Sequence, residues 1–227
     1  MKINLGSGTR PLAGFVNVDA LPDAPGVDVV ARIDAGLPFD DGVADLIYAA
    51  HILEHFPHGE VPAILAEWRR VLRPGGQLLV AVPDLDVIAG LLVSRRGWFT
   101  PPNAPWVGLI YGGQKDEYDF HKTGFTAPYL AHLLQEAGFG TVRKVDRFLD
   151  VDAGDTTWSP LPFGVNISLN MRAVAGSGDL IDIRPEAAQR LLGGFDTLIA
   201  KSSGAVAWAR GRMGNRRRRS IERQLRS

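Results

Sequence analysis

Residues 2–20 read KINLGSGTRPLAGFVNVDA, and this run decides the fold. KINL (2–5) is a short apolar stretch with a β-branched residue that stops at the turn GSG, and GFVNVDA (14–20) is a second such stretch that ends at Asp19. Two strands this close, with glycines immediately after the first, point to an open α/β sheet whose ligands bind beyond the carboxyl ends of the strands. Gly6 and Gly8 permit a tight turn and close approach of a ligand to the backbone. Asp19 offers two acceptor oxygens at the neighbouring strand end, which suits a ribose diol. A dinucleotide fingerprint does not fit: the third glycine of G-x-G-x-x-G falls on Pro11, and Asp19 follows Gly8 by eleven residues where that motif has about twenty.

The alternation continues outward. VDVVARID predicts a third short strand ending at Asp34, ADLIYAA (44–50) a fourth and QLLVAVP (77–83) a fifth. PAILAEWRRVL (62–72) carries apolar residues at helical spacing and stops at RPGG. LDVIAGLLVSRRGW reads as helical and FTPPNAPW as a proline-rich loop, so residues 84–125 are expected to form an acceptor-side insertion or lid. TAPYLAHLLQEAGF (126–139) predicts a helix with Thr126 as N-cap and Gly138 at its end. TVRKVDRF (141–148) and NISLNMRAV (166–174) predict an antiparallel pair at one sheet edge, and DIRPEAAQRLL onward reads as helical.

Bulk composition narrows the function classes. The chain has 227 residues, 45% of them hydrophobic, which is enough for one main domain with appendages. It has no cysteine, which excludes disulfides and thiolate zinc sites. No apolar run approaches a membrane span and the first residues lack a secretory pattern, so the expected location is cytoplasmic. A net charge of zero hides an asymmetry: residues 201–227 hold nine Lys or Arg against one Glu, leaving sixteen basic and twenty-four acidic side chains in residues 1–200. The tail RMGNRRRRSIERQLRS is suited to an anionic surface or partner, or is a solvated helix; the acidic body argues against a long nucleic-acid interface. The expected organisation is a domain over residues 1–178 and a helical basic extension over 179–227.

Four ordered blocks, INLGSGTRPLAGFVNVD, LPFDDGVADLIYAAHILEHF, EWRRVLRPGGQLLVAVPDL and DEYDFHKTGFTAPYLAHLLQEAGF, together resemble the class I S-adenosylmethionine-dependent methyltransferases, in particular a bacterial branch often associated with surface-polysaccharide biosynthesis. The resemblance spans about residues 2–140. It implies a Rossmann-like, mostly parallel sheet with an antiparallel strand at one edge and helices on both faces, lacking the first helix. It also implies S-adenosylmethionine as cofactor and S-adenosylhomocysteine as product. Carried over residue by residue, the cofactor contacts fall on Leu5, Gly6, Ser7, Gly8, Asp19, Asp34, Ala35, Ala50 and His51; many relatives have cysteine where Ser7 stands. The implied activity is O-methylation of a sugar, glycan or other small polar acceptor. An inactive cofactor-binding module docked through the basic tail is the alternative.

Methyl transfer to a hydroxyl needs alignment and a base, and histidine suits near-neutral pH. His121, in the polar and aromatic run DEYDFHKTGF, is the first candidate and His51 the second. His58 lies in a loop and His132 within a predicted helix. Two metal readings arise. Asp116, Glu117, Asp119 and His121 are a possible hard-cation cluster without a matching motif, and H-x-x-E-H at His51, Glu54 and His55 has the i, i+4 histidine spacing of some zinc hydrolases. Strand-end context and Pro57 oppose a zinc helix there, so no metal site is expected.

Overall fold

A computed structural model describes residues 1–93, 105–151, 166–178 and 180–183, which belong to one compact unit, Met1–Glu186. The strands are β1 (Lys2–Leu5), β2 (Val16–Asp19), β3 (Val29–Val30), β4 (Ala44–Ala50), β5 (Leu72–Pro83), β6 (Phe139–Val145), β7 (Ser168–Ala175) and β8 (Ile181–Asp182). The helices are α1 (Val61–Val71), α2 (Leu85–Val93), α3 (Pro105–Tyr111) and α4 (Ala127–Glu136). One mixed sheet has the order β3-β2-β1-β4-β5-β7-β6-β8, and only β7 runs antiparallel to its neighbours.

Period-two alternation divides the apolar residues between two faces. Ile3, Leu5, Ile47, Ala49, Leu78, Val80, Val82, Leu169 and Met171 point to the main core. There α1 buries Val61, Ile64, Leu65, Trp68 and Val71, and α4 buries Ala127, Leu130, Ala131, Leu133 and Leu134. On the opposite face Leu46, Tyr48, Leu79 and Ala81 meet Phe148 and Val151, with Leu12 and Phe15 packed alongside. Those last two come from the connection between β1 and β2, whose ten residues form no helix.

Thr126 caps α4 as expected, accepting the Tyr129 N–H, and Gly138 ends it at a φ of 88°. Four expectations need correction. The third strand is two residues long, and Asp34 lies beyond it in a 3-10 turn, Ile33–Ala35; the Ala31 N–H to the Asp19 carbonyl is the last bond of the ladder with β2. The fifth strand begins at Leu72, because a bulge absorbs Arg73 to Gly76 as pairing moves from Ala44–Leu72 to Leu46–Gln77. The β6–β7 pair is not the edge: β7 sits inside, between β5 and β6, and β8 closes the ladder outside β6. Asp182, assigned to a helix from sequence, therefore stands in a strand, where the exposed Leu180 and Ile181 precede the half-buried Asp182 and Ile183. Residues 94–104 of the expected lid, the end of its helical run and most of the loop FTPPNAPW (99–106), and the basic extension beyond residue 183 lie outside the described residues, while Pro105 and Trp106 of that loop instead begin α3. Among the described residues no helix is long and apolar enough to cross a membrane.

Candidate active site at the carboxyl ends of the strands

Parallel registry brings the expected residues to one end of the sheet. Leu5 is level with Val18 on one side and Ala49 on the other, and Ala50 is level with Ala81. The turn at Gly6–Gly8, Asp19, His51 and the end of β5 therefore lie along one rim, beyond the carboxyl ends.

Gly6 and Gly8 both adopt positive φ, 65° and 50°. A Cβ on Gly6 would come within 2.8 Å of Ile52, whereas one on Gly8 would meet nothing within 4 Å. Gly8 thus leaves backbone open to a ligand, and Gly6 lets Ile52 close over the turn. The turn is tied to the neighbouring strand: Ser7 donates its N–H to the Val18 carbonyl, and Gly8 donates to Asp19 Oδ2 at 2.7 Å. Asp19 Oδ1 accepts the Leu21 N–H at 3.0 Å, so each carboxylate oxygen holds one backbone donor and keeps one further acceptor direction. The Ser7 hydroxyl is buried and has no hydrogen-bond partner among the described residues. Open backbone at Gly8, an orphaned hydroxyl and a carboxylate with spare acceptor capacity fit a polar ligand such as the amino acid and ribose parts of the expected cofactor.

Residues missed by the sequence reading brace this turn. Asn4 donates to Asn17 Oδ1 at 2.9 Å, the same oxygen accepts the Leu12 N–H at 2.8 Å, and Asp28 Oδ2 accepts the Asn17 N–H at 2.8 Å. Inward-facing asparagines at alternate strand positions were the available signal, since buried polar side chains find partners. Asp34 is less free than expected: Arg32 clamps both oxygens, at 3.1 and 2.6 Å, and holds the carboxyl below its ordinary value. Ala35 follows it in the 3-10 turn.

His51 leaves β4 with a φ of 53°, a conformation uncommon for a residue with a side chain. Its N–H bonds to the Ala81 carbonyl, its Nδ1 lies 3.2 Å from Glu54 Oε1 and its Nε2 lies 3.1 Å from the Ser168 hydroxyl. Both ring nitrogens are engaged, which weakens His51 as a free base.

Leu53–His55 form a 3-10 turn that buries Glu54 to 1% exposure. The chain returns to it from far away. The Glu54 carbonyl accepts the N–H groups of Lys122 and Thr123, and the Thr123 hydroxyl donates to the Phe56 carbonyl at 2.7 Å. Phe125 then pairs with Asp84 at the end of β5. Gly112 and Gly113 make the return possible, because a Cβ on Gly112 would lie 2.1 Å from the Asp119 carbonyl oxygen. Asp119 and Asp116, grouped from sequence as cation ligands, instead accept backbone N–H groups of this loop: Gly113 and Lys115 bond to Asp119, and Tyr118 bonds to Asp116.

This return puts His121 beside Glu54 and His55. His121 Nδ1 is 2.9 Å from the Leu109 carbonyl and its Nε2 is 4.0 Å from Glu54 Oε1. The His55 and His121 rings meet edge to face with centroids 5.0 Å apart. Burial, opposed by Glu54, lowers the His121 pKa, so the imidazole is held neutral. A carbonyl accepts only from N–H, so Nδ1 carries the proton and Nε2 keeps its lone pair. His121 also lines a pocket with Pro83, Leu85, Ile88, Leu109 and Tyr111. His58 and His132 are exposed. Asp84, not singled out from sequence, is buried at the same rim and paired with Lys144 at 2.7 Å.

Residues 17–80, from β2 into β5, match the methyltransferase domain family. Over this stretch the chain resembles a methyltransferase domain. It is 33% identical over 106 residues to a ubiquinone/menaquinone biosynthesis C-methyltransferase of Bordetella avium, a stretch covering 46% of this chain and 40% of that protein. It is 30% identical over 140 residues to an uncharacterized methyltransferase of Synechocystis sp., covering 58% of this chain and 59% of the relative. The matches thus span 40% and 59% of these relatives' own lengths. Among solved structures, a Thermotoga maritima protein described as a SAM-dependent methyltransferase and possible histamine N-methyltransferase shares the fold, with a TM-score of 0.50 and 16% identity over 77% of this chain and 81% of that one. The matched stretch includes Asp19, Asp34, Ala35, Ala50 and His51, and the glycine turn precedes it.

Proposed function

We propose that this chain transfers a methyl group from S-adenosylmethionine to a hydroxyl of a small polar acceptor, with a sugar or glycan as the acceptor class. The observation that carries the reading is a neutral, half-buried His121, oriented by the Leu109 carbonyl, in the wall of a pocket at the carboxyl rim. The cofactor supplies an activated methyl on a sulfonium. Leu5 to Gly8 hold its amino acid portion, Asp19 its ribose, Asp34 and Ala35 its adenine, and Ala50 and His51 the methionine side. Contact through Asp34 requires that Arg32 share or release an oxygen. When bound, the cofactor would give up that methyl to the acceptor oxygen and retain its sulfur as a neutral thioether, while His121 Nε2 would take the hydroxyl proton. Alignment contributes up to roughly 7–11 kcal/mol to such reactions and a base about 10²–10⁴-fold.

The pocket wall favours one second reading. Pro83, Leu85, Ile88 and Leu109 are apolar, and a relative is named as a C-methyltransferase of ubiquinone and menaquinone biosynthesis. A phenolic ring fits such a wall, and removing its hydroxyl proton would make the adjacent ring carbon the nucleophile.

Calorimetric titration of the full chain with S-adenosylmethionine, followed by transfer of a ¹³C-labelled methyl to sugar and phenol panels, tests these readings. Carbon NMR separates methoxy from ring-methyl product. Methoxy sugars support the first reading and ring-methyl products the second. Cofactor binding without transfer in any arm favours the inactive binding module, and absence of cofactor binding sinks all three.

A further inference from the structure

We propose that Glu54, His55 and His121 form a binding site for one divalent transition cation, of which zinc is the reference case. The three residues each offer a ligand atom, and these atoms lie within 4.8 Å of one another. Glu54 is 1% exposed, yet its Oε2 has no hydrogen-bond partner among the described residues. A buried carboxyl oxygen without a hydrogen-bond partner is costly, and a cation bound there removes that cost.

The second line of argument is the state of the imidazoles. His55 Nδ1 faces the Phe120 carbonyl at 3.2 Å, and His121 Nδ1 faces the Leu109 carbonyl at 2.9 Å. Each ring therefore donates from Nδ1, which leaves Nε2 as the ring atom available to a cation. Metal-bound histidines have this arrangement, with the other ring N–H given to a backbone carbonyl or carboxylate. His121 Nε2 lies 4.0 Å from Glu54 Oε1, near enough for one ion to be shared between them. His51, whose Nδ1 lies 3.2 Å from Glu54 Oε1, orients the carboxylate from outside the ligand set.

Two imidazoles and one carboxylate suit zinc, iron, cobalt or nickel better than magnesium or calcium, which prefer oxygen. Ligands about 2.1 Å from a tetrahedral ion sit roughly 3.4 Å apart, so small side-chain rotations close the present spacing. Three protein ligands leave a position open for water or an acceptor oxygen. The H-x-x-E-H run thus contributes Glu54 and His55, and the third ligand comes from 66 residues beyond His55 in place of His51. Binding does not depend on the methyl-transfer reading. If that reading also holds, the cation would lower the pKa of a bound hydroxyl, and His121 would act as a ligand rather than as the base.

The test uses the full chain, stripped with chelator and dialysed. Cobalt(II) is titrated in by calorimetry and visible absorption, then challenged with zinc and magnesium. The expected result is one saturable equivalent with a ligand-field band, displaced by zinc and not by magnesium. His55→Ala and His121→Ala each weaken binding about 100-fold or more, while His58→Ala and His132→Ala bind as wild type. Circular dichroism and cofactor titration report folding. His55 is half-buried on a turn, so His55→Ala keeps the test available even where His121→Ala does not fold. Absence of a saturable equivalent, or unchanged binding by either ligand variant, overturns the proposal. Metal binding without methyl transfer leaves the cation site standing and counts against the transferase reading; transfer that survives chelation without any cobalt binding does the converse.

Discussion

Gly6 and Gly8 share a left-handed backbone but differ in surroundings, and that difference predicts distinct mutants. Gly6→Ala forces a methyl within 2.8 Å of Ile52, so it is expected to lose at least about 1 kcal/mol of stability, read by denaturant melts. Gly8→Ala meets no neighbour within 4 Å and is expected to melt closer to wild type while weakening S-adenosylmethionine binding. Asp19 ties the glycine turn to β2 through Gly8, so Asp19→Ala removes a charged acceptor from the turn and, on the proposed function, from the cofactor ribose. Calorimetry is expected to show cofactor affinity reduced about 10- to 100-fold, on the basis of roughly 1.5–3 kcal/mol for a charged hydrogen bond. His121→Ala is expected to cut turnover about 10²–10⁴-fold with cofactor affinity nearly unchanged; equal turnover in the two proteins removes His121 from the chemistry.

Helix α1 is joined to the loop before β4 by a charged clamp as well as by its apolar face. Glu67 accepts the Leu37 N–H at 2.8 Å and two Arg70 bonds at 2.8 and 2.7 Å, while Arg70 donates to the Phe39 carbonyl at 2.8 Å. The hydrogen bond from Arg70, aided by the one from Leu37, lowers the Glu67 pKa from its ordinary value of 4.5. A depressed carboxylate binds fewer protons folded than unfolded, so its contribution is complete above about pH 4.5 and is lost as pH falls through the lower folded value. Glu67→Gln should therefore flatten the acid limb of a stability–pH curve below that pH and leave its slope near neutrality unchanged. Helix α4 depends on Thr126 in a simpler way. The Tyr129 N–H to Thr126 hydroxyl distance is 3.4 Å, so Thr126→Ala is expected near the low end of the roughly 0.5–2 kcal/mol range for N-caps, measured by thermal unfolding.

Long-range pairing holds the rim as a unit. Lys144 on β6 reaches Asp84 at the end of β5 across the intervening β7, and Asp84 is buried. Lys144→Met leaves that carboxylate without its counter-ion and is expected to cost about 3–5 kcal/mol in urea unfolding, whereas the double change with Asp84→Leu recovers much of the loss. Much of this architecture is legible in the chain. The period-two runs of β1, β2 and β4, the apolar stripe of α1, the Thr126 cap and the absent first helix all follow from local patterning, because strand alternation, helical spacing and cap chemistry act within a few residues. Gly6, Gly8 and Asp19 are legible for the same reason: in a parallel sheet every strand end with a ligand-facing residue falls on one rim. The interior position of β7, the addition of β8 and the end of β3 before Asp34 are not legible, since strand order and strand ends depend on pairings between segments many residues apart. His51 illustrates the boundary, being readable as a strand-end residue but not as one with both ring nitrogens occupied by Glu54 and Ser168. Local sequence placed Glu54 and His55 on one short turn. The approach of His121, 66 residues beyond His55, required Gly112 and Gly113 to fold the chain back and the Glu54 carbonyl to capture Lys122 and Thr123, contacts with no periodicity to announce them.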